Sequence, residues 1–76
     1  MPSTLSDRVA RLESYLLLAE HQALTDAHAY LNLAVEASAC GRPGRASQYK
    51  AKAAVFSHCA FACRAAINEL QEVFTA

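Results

Sequence analysis

The stretch CGRPGR (Cys40–Arg45) decides the fold, because it is the one place where helix-interrupting residues cluster between two long segments. Gly41 suits the left-handed residue that closes a helix, and Pro43 prevents a helix from continuing through it. The sequence on either side is rich in alanine, the best helix former, with 17 alanines among the 76 residues. We therefore expect one helix before this stretch and one after it.

Local signals give the expected bounds of the two helices. Thr4–Asp7 is typical of a capping box, so the first helix is predicted from about residue 5 to about residue 39. The turn is expected at about 40–45 and the second helix at about 46–74. A short turn between long helices predicts an antiparallel pair. The sequence thus predicts a single all-α domain over residues 1–76: two long antiparallel helices forming a coiled-coil-like hairpin.

The second helix carries one apolar heptad seam, in which the steps alternate between four and three residues. Its members are Tyr49, Ala53, Phe56, Ala60, Cys63, Ile67, Leu70 and Phe74. Polar residues recur with seven-residue spacing on another side, which we expect to face solvent. They are Lys50, Ser57, Arg64 and Gln71.

The first helix carries two seams instead of one. The first consists of Leu5, Val9, Leu12, Leu16, Ala19, Ala23 and then, after a shift, Ala27, Tyr30, Ala34 and Ala37. The second consists of Leu17, His21, Leu24, His28, Leu31 and Val35. Two adjacent seams make an apolar face wider than one neighbouring helix can cover. Periodicity leaves open which seam closes the hairpin and which one remains.

The surplus seam predicts a surface that binds protein. The chain is 54% hydrophobic with a formal net charge of zero, which is more apolar material than so small a domain can bury alone. The surplus must therefore meet a protein partner or a second copy of the chain. The expected contact residues are Leu17, Leu24 and Leu31, with Phe61 joining them from the second helix.

The turn and second helix, Gly41–Leu70, resemble the small co-chaperones of type III secretion needle subunits. Those proteins share a glycine-containing turn, a Gln-Tyr pair and an alanine- and isoleucine-rich stretch, matched here by Gln48-Tyr49 and Ala65–Ile67. The chain departs from them in its three cysteines and its longer first helix. The resemblance implies a cytoplasmic, virulence-associated chaperone function. It further implies pairing with a larger helical-repeat chaperone, so that together they keep the needle subunit soluble and unpolymerised.

The segment HCAFAC (His58–Cys63) raises the alternative of a metal site. In an antiparallel hairpin that turns near residue 43, the numbers of two residues that face each other across the helices should sum to roughly 85. His28 is therefore expected near His58, and His28, Cys59 and Cys63 together could form a metal site. Cysteine in a helix interface is more often a small buried hydrophobe, and we expect no metal and no cofactor. His21 and His28 similarly allow a pH-sensitive interface, although a place at the edge of a buried stripe accounts for both.

Other functions are disfavoured by the composition. A two-helix hairpin offers no enclosed pocket for catalysis, so an enzyme is not expected. Balanced charge argues against nucleic acid and membrane surfaces, and no apolar run is long enough to span a bilayer. With no signal peptide visible, we expect a cytoplasmic protein. The remaining alternatives are a self-associating four-helix dimer with a regulatory or RNA-binding role and a small metal-binding helical protein.

Overall fold

The computed structural model describes residues 4–75 of the chain, and the side chains of residues 4–73. It contains two helices, α1 (Leu5–Ala39) and α2 (Pro43–Thr75), which lie side by side along their length. The molecule measures 58 × 25 × 11 Å, which is the shape of a helical pair. The predicted fold class, an all-α helical hairpin, is confirmed.

A reciprocal capping box starts α1. The Asp7 backbone N–H donates to Thr4 Oγ1 at 3.2 Å, and the Thr4 backbone N–H donates to Asp7 Oδ2 at 3.4 Å. These bonds satisfy two backbone donors that a helix start would otherwise leave unpaired. The negative charge of Asp7 also lies at the positive end of the helix dipole.

The turn between the helices is tighter than the sequence suggested. Gly41 adopts the left-handed conformation with φ of +73°, and the Arg42 N–H donates to the Ala37 carbonyl at 2.8 Å in a Schellman motif. The second helix begins at Pro43, whereas we had expected its start near residue 46. The physical reason is that proline lacks an N–H and has a helical φ, which suits the first position of a helix.

The core of the hairpin is made almost entirely of alanine. Seven of the eight buried residues among those described are alanines, and Ile67 is the eighth, at 1% exposure. The alanines are Ala23, Ala27, Ala34, Ala37, Ala46, Ala53 and Ala60. Small side chains at the interface let the two helix backbones approach closely, since a larger side chain would hold them apart.

The first seam of α1 and the seam of α2 form this core. We call the α1 set, from Leu5 to Ala37, the inner seam. Toward its N-terminal end Leu5 and Leu12 are exposed, at 64% and 46%, whereas Ala37 at the other end is buried. In α2 the seam residues from Tyr49 to Leu70 are buried or half-buried, and the predicted solvated line is exposed. The side chain of Phe74, the last predicted member, lies outside the described side chains.

An aromatic cluster near the turn helps to fix the register of the two helices. The Tyr30 ring stacks on Phe56 with centroids 5.6 Å apart and lies 6.1 Å from the ring of Tyr49. The Lys52 ammonium lies 5.5 Å from the centroid of the Tyr30 ring, which adds a cation–π contact. Aromatic pairs of this kind contribute about 0.5–1.5 kcal/mol beyond the area they bury. The pairing of Tyr30 with Phe56 agrees with the expected sum of roughly 85 for opposed positions.

Candidate protein-binding surface

The second seam of α1 lies outside the hairpin. We call its six residues, Leu17, His21, Leu24, His28, Leu31 and Val35, the outer seam; all six are exposed. Leu17, Leu24 and Leu31 are 44–46% exposed, and Val35 is 69% exposed. The structure therefore answers the question that periodicity left open: the inner seam closes the hairpin, and the outer seam is the surplus.

An ion pair across the hairpin fixes which side of α2 accompanies the outer seam. Arg64 donates to Glu20 through Nε at 2.8 Å and through Nη2 at 2.6 Å, a bidentate arrangement. This hydrogen bond, and then the negative charge of Glu20, raises the pKa of the Arg64 guanidinium above its usual value. Glu20 lies one helical turn from both Leu17 and Leu24, so Arg64 reaches α1 on the flank that carries these leucines.

Phe61 lies on the same flank, three residues before Arg64 and therefore close to one turn away. Its side chain is 73% exposed, the most exposed large hydrophobic side chain among the described residues. It lines a shallow, mostly apolar depression of α2 together with Ala54, Ser57 and His58. The four residues that the sequence singled out, Leu17, Leu24, Leu31 and Phe61, are thus all exposed on one side of the hairpin. Their role in binding stays a prediction.

A second apolar surface, which the sequence reasoning missed, lies near the open end of the hairpin. It is an open groove of ≈ 440 Å³ lined by Leu12, Leu16, Ala66, Glu69, Leu70 and Val73. Leu12 and Leu16 belong to the inner seam and Leu70 to the seam of α2, which pack together over the rest of the hairpin. The available signal was a change in residue size, because the inner seam carries leucine toward this end and mostly alanine toward the turn.

The candidate metal ligands do not form a site. Cys63 is half-buried, but Cys59 is exposed and not the small buried residue that the sequence predicted, because its position points away from the neighbouring helix. His28 belongs to the exposed outer seam. Within the described part of the chain, no three His, Cys, Asp or Glu side chains lie together in a way that could hold a metal ion.

The cations near the turn are spread over different surroundings. Arg42 and Arg45 line a groove that also contains Glu36, while Lys50 lines another groove, beside Leu31 and Val35. Lys52 contacts the ring of Tyr30. These cations thus have different neighbours: a groove with a carboxylate, a mostly apolar groove and an aromatic ring.

Neither helix, over the residues described, is apolar enough for long enough to cross a lipid bilayer. No protein-family model matches the chain, and neither a curated protein nor a solved structure does. Function is therefore inferred from the chemistry of the exposed surface.

Proposed function

We propose that this protein is a non-enzymatic, protein-binding helical hairpin whose outer seam, together with Phe61, docks on an apolar surface of a partner protein. The observation that carries the proposal is an inversion of side-chain size. Alanines fill the core, while Leu17, Leu24, Leu31 and Phe61 are 44–73% exposed. Large apolar side chains aligned on one side of a small protein are typical of an interaction surface.

The exposed area supports this proposal. The chain exposes 5752 Å², whereas a compact monomer of its 8.2 kDa mass is expected to expose about 4,500 Å². The excess of about 1,200 Å² exceeds the roughly 800 Å² that one partner contributes to a stable interface of standard size. The chain as a whole therefore exposes enough surface to supply one side of a stable interface.

The chemistry of the outer seam indicates what kind of partner fits. Between Glu20 and Glu36 the only charged residue is Asp26, and its Oδ1 accepts a hydrogen bond from Gln22 Nε2 at 3.2 Å. Asp26 lies two positions from Leu24, which places it on a different side of the helix. A heptad of leucines with no charge among them suits an apolar groove or another amphipathic helix, docked as a helix in a groove.

The most specific form of the proposal follows from the resemblance of Gly41–Leu70 to needle-subunit co-chaperones. In that role the hairpin works in the cytoplasm with a larger helical-repeat chaperone, and the complex holds a secretion needle subunit soluble. The mechanism is occlusion: an apolar face buried in the complex is withheld from polymerisation. The hairpin fold and the free outer seam support this role, since both are what occlusion requires of a co-chaperone.

Co-expression tests this role directly. The tagged chain is expressed together with the products of its neighbouring genes, and the complex is isolated by affinity and size exclusion. We expect a helical-repeat chaperone and a small helical needle subunit to co-purify in a fixed stoichiometric ratio. If no secretion-system component co-purifies, the co-chaperone role is wrong.

A matched pair of variants tests whether the outer seam is the contact surface. Leu24 and Leu33 are 44% and 40% exposed, and nine positions place them about half a turn apart on α1. Leu24→Asp is expected to abolish co-purification, while Leu33→Asp leaves it intact and both retain wild-type helicity. Equal effects of the two substitutions would assign partner binding to some other surface.

A further inference from the structure

We infer that, in the free protein, the outer seam is covered by a second copy of the chain, with α1 packed antiparallel on α1 about a two-fold axis near residue 26. The inference shares with the proposed function only the surface involved, the outer seam. The dimer is then the resting form, and a partner reaches the outer seam by replacing the second copy.

The spacing of the outer seam is self-complementary in this register. Antiparallel pairing with positions summing to 52 places Leu17 opposite Val35, His21 opposite Leu31 and Leu24 opposite His28, and the two-fold axis repeats each layer. One step further out, Ser14 meets Ser38, and both are exposed. The apolar layers are therefore bounded by a polar layer at each end, which defines the length of the contact.

No layer opposes like charges. The outer seam itself carries leucine, valine and histidine, and the adjacent positions on its outer side are Leu18, Thr25 and Asn32. Glu20 on the other side is paired with Arg64 within its own chain. Two copies of a chain with zero net charge also do not repel each other as whole molecules.

The areas agree with a dimer as the occupant. Each chain exposes 5752 Å², about 1,200 Å² more than a compact monomer of its mass. A stable interface needs about 800 Å² from each side, so each of the two copies has enough surplus to form one. Phe61, 73% exposed on the flank of α2 that faces the same way, would extend the contact beyond α1.

Sedimentation equilibrium of the purified full chain measures the dimer. We expect a species of about twice 8.2 kDa, with a Kd in the micromolar range or below, as an interface of this size allows. Leu24→Asp should weaken dimerisation by about a hundredfold. Symmetry places the substitution in two layers, and in each layer a carboxylate replaces a buried leucine, at a cost of at least about a factor of ten. The matched control Leu33→Asp should change Kd by less than about threefold.

A gain-of-affinity variant keeps the test decisive even if Leu24→Asp unfolds. His28→Leu converts the two layers that contain Leu24 into leucine pairs, and we expect Kd to fall by at least about tenfold. An unchanged Kd would overturn the assignment of these layers.

The register is tested by the double variant Leu24→Glu with His28→Lys. In the antiparallel register each introduced carboxylate faces an introduced ammonium of the other copy. Dimerisation should therefore be at least tenfold tighter than for Leu24→Glu alone. A parallel pairing would oppose like charges at both positions, so a double variant that is as weak as the single one overturns the register.

Two further results overturn the inference as a whole: a wild-type chain that is monomeric at about 100 µM, or equal weakening by Leu24→Asp and Leu33→Asp. Failure of the proposed function is seen separately, in the co-purification experiment. If the chain dimerises but no secretion-system component co-purifies with it, this inference stands and the co-chaperone role is wrong. If the chain is monomeric and a secretion-system component co-purifies with it, the co-chaperone role stands and this inference is wrong.

Discussion

The inner and outer seams of α1 are both apolar, yet they differ in side-chain size. Between residues 19 and 37, the inner seam is alanine except for Tyr30, with Ala34 and Ala37 at 1% and 8% exposure, whereas the outer seam presents Leu17, Leu24 and Leu31 at 44–46%. Between residues 17 and 37, the outer seam thus carries larger side chains than the inner seam, apart from Tyr30, yet the outer seam is the one left outside. The difference teaches that close approach of two helix backbones, rather than hydrophobicity alone, selects the seam that closes this hairpin.

From this core we expect a modest intrinsic stability. Burial of an alanine methyl group contributes far less than burial of a leucine or phenylalanine side chain, which yields about 1.5–3 kcal/mol. The hairpin leaves such side chains outside, so covering the outer seam adds the apolar burial that the core lacks. Partner binding and folding stability are therefore expected to be coupled in this protein.

The largest expected effect comes from Ile67, the one large side chain among the described residues that is fully buried, at 1% exposure. Ile67→Ala should lower the free energy of unfolding by about 3 kcal/mol, because it removes buried carbons and leaves a cavity between the helices. Urea denaturation followed by circular dichroism, with all variants at one protein concentration, measures the change.

Val55→Ala is the matched control on the outside of the same helix, at 61% exposure. It should change the free energy of unfolding by less than about 0.5 kcal/mol. If Ile67→Ala and Val55→Ala lower the free energy of unfolding equally, the inner and outer surfaces of α2 do not differ in their contribution to stability.

An intermediate effect is expected when an inner alanine is enlarged. Ala34 is 1% exposed and packs where the two helices meet, so Ala34→Leu should lower the free energy of unfolding by about 2 kcal/mol through overpacking. The same substitution at the exposed Ala29 should be nearly neutral, since both residues are good helix formers. A thermal unfolding series of the two variants checks the difference, and a stabilising Ala34→Leu would contradict the close-packing explanation.

The sequence predicted the architecture because the turn residues and heptads are local signals. Gly41 and the capping box at Thr4 act through their own backbone conformations. The rule that opposed positions sum to roughly 85 places Arg64 opposite His21, one position from its actual partner Glu20. The start of α2 at Pro43 was placed too late, because proline at a first helical position looks like a helix breaker in sequence.

The candidate site was predictable only in part. Leu17, Leu24 and Leu31 were marked by seven-residue spacing, but periodicity does not weigh side-chain volume and so left the choice of seam open. The groove at the open end was missed for a related reason. Leu12 and Leu70 follow the period of the closing seams, and only three-dimensional packing shows that the helices leave them partly uncovered.

The smallest expected effect concerns Glu20, whose ion pair with Arg64 connects the two helices on the flank of the outer seam. Glu20→Gln keeps a hydrogen-bond acceptor for the guanidinium and removes the charge. The Arg64 side chain is 48% exposed, so water and salt screen the attraction and the urea midpoint should shift by no more than the error of the measurement. Repeating the titration at low and high salt isolates the ionic part, which should be equally small. A clear, salt-sensitive loss of stability would mean that this exposed flank, and not only the alanine interface, holds the hairpin closed.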